Sequence, residues 1–88
     1  MSWNIIFTEI AFKCLKKLDR SISKEVKNYI KHRIANLDDP RSTGSGLTHD
    51  KSGLWRHRFR DYRIICEIRD KEIQIIVIKI GHRKDIYE

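Results

Sequence analysis

An α+β fold in the order β-α-α-β-β-β, a helical hairpin packed on a small, mostly antiparallel sheet, follows from three features of the 88-residue chain. Apolar residues recur at helical spacing in two adjacent segments of the first half. Three strand-length segments occupy the second half, alternating or running apolar. Between the two halves, residues 39–53 are rich in Gly, Ser, Thr and Asp and hold the only proline. Helices followed by strands, rather than alternating with them, indicate segregated layers.

Trp3 to Phe7 is a short apolar run that suits a first strand. Thr8 is placed to cap a helix, Glu9 suits its first turn, and Lys16 and Lys17 suit its last. Ala11, Cys14/Leu15 and Leu18 form its apolar stripe. Asp19 or Ser21 then caps a longer helix striped by Ile22, Val26, Tyr29/Ile30, Arg33/Ile34 and Leu37, with Lys24, Lys27 and Lys31 facing out. Pro40 cannot continue it and disfavours helical geometry at Asp39, so its expected end is Leu37 or Asp38. The very short connection makes the pair an antiparallel hairpin.

A loop as long as 39–53 in so small a domain is usually functional or mobile. It delivers the chain to Gly53-Leu-Trp-Arg-His-Arg-Phe-Arg60, where alternation puts Trp55, His57 and Phe59 on one face and Arg56, Arg58 and Arg60 on the other. After an Arg60-Asp61 turn, Tyr62–Arg69 is the next strand. Asp70-Lys71 leads to a last strand, Glu72–Ile80, whose isoleucines and valines on both faces suit a central, doubly covered position ended by Gly81. The helices are expected to pack through Leu15, Leu18, Val26, Ile30 and Ile34 against inward Phe59, Ile64, Ile76 and Ile78.

The chain reads as one domain, residues 1–88, with a modest core. Its 19 Lys+Arg against 12 Asp+Glu give a net charge of +7 and a pI near 9.7, a balance that favours a polyanion or an acidic protein partner. With 40% hydrophobic residues and clear periodicity it is not a disordered chain. No apolar run reaches the ~18 residues a membrane span needs, and no secretory signal is visible at Met-Ser-Trp-Asn, so a cytoplasmic protein without membrane contact is expected. Cys14 and Cys66 lie inside periodic segments and suit small core residues in a reducing compartment.

Arg56, Arg58, Arg60 and Arg63 fall within eight residues, with Asp61 the nearby acid. Like charges crowded on one strand face destabilise it, so such a set calls for a negative ligand. The alternative is an edge kept basic against aggregation, but that device generally uses lysine. Guanidinium groups match phosphate oxygens bidentately. Arg83, Lys84 and Tyr87 follow Gly81, so pairing of the last two strands would bring Arg83 near Arg63. His32, His49, His57 and His82 show no metal-ligand spacing, and neither a nucleophilic triad, a phosphate-cradling glycine loop nor a carboxylate pair is present. Metal-independent action without a small-molecule cofactor is the expectation. Alternation turns His57 towards the core.

On these residues the chain resembles the RelE/ParE superfamily of toxins from type II toxin–antitoxin modules. The resemblance spans nearly the full length. It rests on the element order, on Gly53-Leu-Trp-Arg-His-Arg-Phe-Arg-Asp-Tyr-Arg-Ile64 and on Ile80-Gly-His-Arg-Lys-Asp-Ile-Tyr87, and the basic strand looks more like the RelE branch. The resemblance implies a RelE-like fold and a ribosome-dependent endoribonuclease that cuts mRNA in the A site and is neutralised by a cognate antitoxin. It implies catalytic roles for Arg58, Arg63, Arg83 and Tyr87 and backbone binding by Arg56; Arg60 and Lys84, basic and close by in sequence, are further candidates for binding RNA phosphate. Members often carry lysine where this chain has Arg56 and Arg58. Arginine does not lose its proton, so a base must come from elsewhere, with His82, Tyr87 and the ribosome as candidates. A ParE-like toxin that is not a nuclease and inhibits DNA gyrase is the alternative, and an inactive binder is a third reading.

Overall fold

Thr8 links the first strand to everything after it. In the computed structural model, which describes residues 2–47 and 53–82, β1 (Asn4–Phe7) runs directly into α1 (Glu9–Lys17). The Thr8 hydroxyl accepts from the Ala11 amide at 3.1 Å as the helix cap. It also donates towards the carbonyls of Val77 and Ile78 at 3.0 and 2.9 Å. One side chain thus satisfies a free amide at the helix start and fastens that start to the final strand. Glu9 in the first turn and Lys16 and Lys17 in the last complement the helix dipole as expected.

Leu18 closes α1, and α2 (Arg20–Tyr29) starts after Asp19, whose side chain makes no capping bond. The second helix stops short of the expected Leu37. From Ile30 to Ile34 it widens into a π-helical turn, with the Ala35 amide bonded to the Ile30 carbonyl at 3.0 Å. The wider turn keeps both Ile30 and Ile34 fully buried while Arg33 is exposed. It also leaves the Ala35 carbonyl free to accept from the Trp3 amide at 2.8 Å, which anchors the chain ahead of β1.

The described strands form a sheet in the order β1-β5-β4-β3-β2, where β2 is Ser45–Gly46, β3 Trp55–Phe59, β4 Tyr62–Arg69 and β5 Gln74–His82. Only the β1–β5 pair is parallel; the others are antiparallel. The fold is α+β, as expected, with one strand more. β2 escaped the sequence reading because two residues of Ser-Gly carry no periodic signal.

Two expectations about β5 need correction. The strand passes through Gly81 to His82, because Gly81 pairs with Arg63 and His82 with Tyr62. Its two faces are also unequally covered. Ile75, Val77 and Ile80 are buried with Ala11, Leu15, Val26, Ile30, Ile34, Ile64 and Cys66. Ile76 lies opposite Ile6, which is 41% exposed, and opposite Glu67. Ile76 therefore sits on the face away from the helices, and neither Ile76 nor Ile78 belongs to the core cluster that holds Ile64 and packs against Phe59. The strand starts two residues later than expected, after a turn with Ile73 at φ 52°. A register shift opposite Ile65/Cys66 changes its phase, so that Ile75 and Val77 point inwards before it and Ile80 after it.

Both cysteines are free. Cys66 is completely buried, and burial pushes its thiol up to about 12, so it is an inert core residue. Cys14 packs against the same core from its edge.

Candidate functional site

The arginine strand folds as its alternation requires. His57 is 1% exposed, Arg58 is exposed, and Arg56 is half-buried. Register then brings the next arginine alongside, because Arg58 lies directly opposite Arg63 and Arg56 opposite Ile65. Side chains of directly opposed residues share a face, so Arg56, Arg58 and Arg63 all lie on the face away from the helices.

A cavity of about 340 Å³ gathers these groups, lined by Tyr29, Thr43, Gly44, Ser45, Arg56, His57, Arg58 and Arg63. No carboxylate lines it among the described residues. The cavity straddles the outer margin of β3, since β2 pairs only with Trp55 and Arg56. The arginines enter from one face of the sheet, and Tyr29 and His57 from the other.

The guanidinium groups are held differently. Arg56 donates through Nη2 to Ser45 Oγ at 3.0 Å. Arg63 is 5% exposed, and its Nη1 reaches back to the carbonyls of Tyr62 and Arg60 at 3.3 and 3.5 Å. Arg58 makes no hydrogen bond or ion pair among the described residues. Arg60 is held apart: its Nη2 lies 2.6 Å from Glu25 Oε1 on α2, and its guanidinium carbon sits 5.2 Å from the centre of the Phe59 ring. The expectation of an uncompensated set of four is thereby corrected. Glu25 lies 35 residues away in sequence, so no local reading could pair it with Arg60. Arg60 takes up φ 55° at the turn, which swings it off the β3 face.

The wall opposite β3 comes from the loop expected to be functional or mobile. Its described part is firmly anchored. The Trp55 indole donates to the Thr43 carbonyl at 2.7 Å, and Thr43 Oγ1 lies 3.3 Å from His57 Nδ1. Arg41 makes a two-pronged pair with Asp70, both N–O distances 3.0 Å, which holds Asp70 below the usual carboxylate range. Pro40 is fully buried. Gly44 has φ 84°, and a Cβ there would stand 2.3 Å from the Arg56 carbonyl oxygen. Only glycine lets the loop approach β3 so closely.

His57 belongs to the core face, as the alternation requires. Burial lowers its pKa, with the Pro40 carbonyl partly opposing the shift, so the ring is neutral near neutral pH. Nε2 is buried without a hydrogen-bond partner among the described residues. The ring braces the loop through Thr43.

His82, a candidate base on sequence grounds, stands elsewhere. It pairs with Tyr62 in register, with the two rings edge to face at 5.7 Å. It lines a separate hollow of about 420 Å³ with Cys14, Lys17 and Lys79. Tyr62 lies opposite Phe59, so both share the helix-side face, opposite to Arg58 and Arg63. Alternation along β5 is the cause: Gly81, not His82, is in register with Arg63. Arg83, Lys84 and Tyr87 lie outside the described residues. Tyr29, Thr43 and Ser45 were missed as site residues. Tyr29 was read only as part of a helical stripe, and hydroxyls in a polar loop carry no distinguishing pattern.

Comparisons with known proteins agree with this architecture. Residues 5–87 match the family described as "ParE toxin of type II toxin-antitoxin system, parDE". Toxin RelG of Mycobacterium tuberculosis is 26% identical over 87 residues, covering 99% of this chain and 98% of RelG. In the structure of the toxin–antitoxin complex RelBE2 of M. tuberculosis, a chain of the same fold gives a TM-score of 0.87 at 23% identity over 94% of this chain and 93% of that one. The isolated E. coli RelE toxin gives 0.70 at 17% identity over 92% and 84%. This protein belongs to the ParE toxin family of type II toxin–antitoxin systems, within the RelE/ParE superfamily.

Proposed function

We propose that this toxin is a RelE-like, metal-independent endoribonuclease that cuts ribosome-bound mRNA in the A site, acts in the cytoplasm and is held inactive by a cognate antitoxin. The observation that carries this reading is the facing pair Arg58 and Arg63 in a cavity shared with Arg56 and free of carboxylates among the described residues. A ribose 2′-oxygen, losing its proton, attacks the adjacent phosphorus, the P–O5′ bond breaks, and the departing 5′-oxygen takes a proton from water, leaving a cyclic phosphate and a 5′-hydroxyl. Charge accumulates on the phosphoryl oxygens during attack, and preorganised guanidinium donors stabilise it.

None of the arginines accepts the 2′-hydroxyl proton. The reading assigns that proton to Tyr87, to water or to the ribosome, and assigns most of the rate to charge stabilisation. Arg83 is proposed to join Arg58 and Arg63 on the phosphate, while Lys84 adds positive charge beside it.

The antitoxin partner is supported by neighbours of this fold solved as toxin–antitoxin complexes from M. tuberculosis and E. coli. The +7 charge and exposed Ile10 and Phe12 on α1 suit an acidic, amphipathic segment. Among the described residues no helix is long and apolar enough to cross a membrane.

A second reading, a ParE-like binder that inhibits DNA gyrase, is favoured by the family match. A cell-free translation reaction carrying a supercoiled plasmid separates the two. Cuts within translated codons support the nuclease, whereas cleaved or trapped plasmid with intact mRNA supports the gyrase inhibitor. Intact mRNA and plasmid would leave only binding.

A further inference from the structure

Tyr29 has no place in the arginine chemistry, yet it lines the same cavity as Arg56, Arg58 and Arg63. It comes from α2 on the far side of β3. The ring is half-buried and packs on Phe59 at 5.0 Å between centroids, tilted by 40°. It also borders a shallower hollow of about 380 Å³, so it stands as a ridge between two depressions rather than inside the core. Its hydroxyl makes no hydrogen bond among the described residues, although a half-buried tyrosine usually finds one. The cavity thus combines a cationic end with an aromatic ring held firmly by a second ring.

That combination is the chemistry of a nucleotide. Phosphate suits the arginines, and a base suits an aromatic face that costs little entropy to order. We propose that Tyr29 is the base platform of this cavity, stacking on a nucleobase of single-stranded RNA while Arg58 and Arg63 hold the neighbouring phosphate. The proposal rests on the RNA-cleavage reading of the cavity and adds a residue that contacts the base. The Phe59 contact fixes the ring in place.

The test is fluorescence anisotropy with two labelled, 2′-O-methylated RNA hexamers that cannot be cleaved, one with bases and one abasic throughout. The wild-type protein should prefer the hexamer with bases by about 5- to 150-fold, the range that stacking one base supplies. Tyr29→Leu keeps apolar packing on Phe59 but removes the ring. It should abolish that preference while leaving abasic binding and its salt dependence unchanged. Tyr29→Phe should retain the preference, and Arg58→Ala should weaken both RNAs alike.

A Tyr29→Leu protein that still prefers bases would overturn the platform while leaving the arginine reading intact. Loss of the preference in Tyr29→Phe as complete as in Tyr29→Leu would overturn stacking in favour of the hydroxyl. No binding of either RNA by the wild-type protein would overturn the platform, while the cleavage reading stands or falls on the assay with ribosome-bound mRNA.

Discussion

Arg58 and Arg63 stand directly opposite one another on β3 and β4, a like-charge cross-strand pair in a cavity without a carboxylate among the described residues. Such a pair opposes folding by about 0.2–1 kcal/mol relative to a neutral one. Arg58→Ala should therefore raise the urea midpoint slightly while lowering affinity for RNA. A lowered midpoint would mean that Arg58 supports the fold, and that the pair is not a strain kept for a ligand.

Gly44 sets how closely the loop sits on the arginine strand. Gly44→Ala combines a positive φ with a Cβ clashing against the Arg56 carbonyl, and strain of this kind costs on the order of 1–3 kcal/mol. The expected result is a lower urea midpoint together with weaker RNA binding, because Ser45 moves away from Arg56. Unchanged binding in a folded Gly44→Ala protein would show that the loop does not position Arg56.

His57 gives the fold a defined acid response. Its folded-state pKa is depressed by burial, so the unfolded chain takes up a proton more readily. Its contribution to stability is fully present above about pH 6.5, the unfolded value, and is lost as the pH falls from there through the folded value. Urea midpoints should fall between pH 7.5 and pH 5 in the wild type and fall less in His57→Asn. Parallel pH dependences for the two proteins would contradict the assignment.

Core and rim positions on the helices should separate in thermal unfolding. Ile30 is fully buried, whereas Leu18 packs at the edge of the cluster as the residue closing α1. Ile30→Ala should cost about 2–5 kcal/mol, and Leu18→Ala about 1 kcal/mol. Equal costs would mean that the two helices share the core differently from what the burial pattern shows.

The elements with strong local signals were legible in the sequence: Thr8 as a cap, the parity of β3, the turn at Arg60-Asp61 and β4 itself. Parity within β5 was not, because isoleucine and valine occupy both faces and a register shift opposite Ile65/Cys66 changes the phase midway. The π-helical turn and β2 also carry no periodic signature. At the site, Arg56, Arg58 and Arg63 converge as their spacing implies, since adjacent antiparallel strands translate local order into proximity. The pairing of Arg60 with Glu25, the walling of the cavity by Thr43, Gly44 and Ser45, and the approach of Tyr29 are tertiary facts. They join segments far apart in sequence, and no local pattern contains them.

Single-turnover cleavage of ribosome-bound mRNA tests the central claim most directly. Arg63 is nearly buried against the turn carbonyls, so Arg63→Gln is a better probe than alanine, paired with Arg58→Ala and with circular dichroism to confirm folding. Each loss of a preorganised donor should slow cleavage about 10²–10³-fold. Near-wild-type rates for both folded variants would contradict the account and leave a binding toxin in its place.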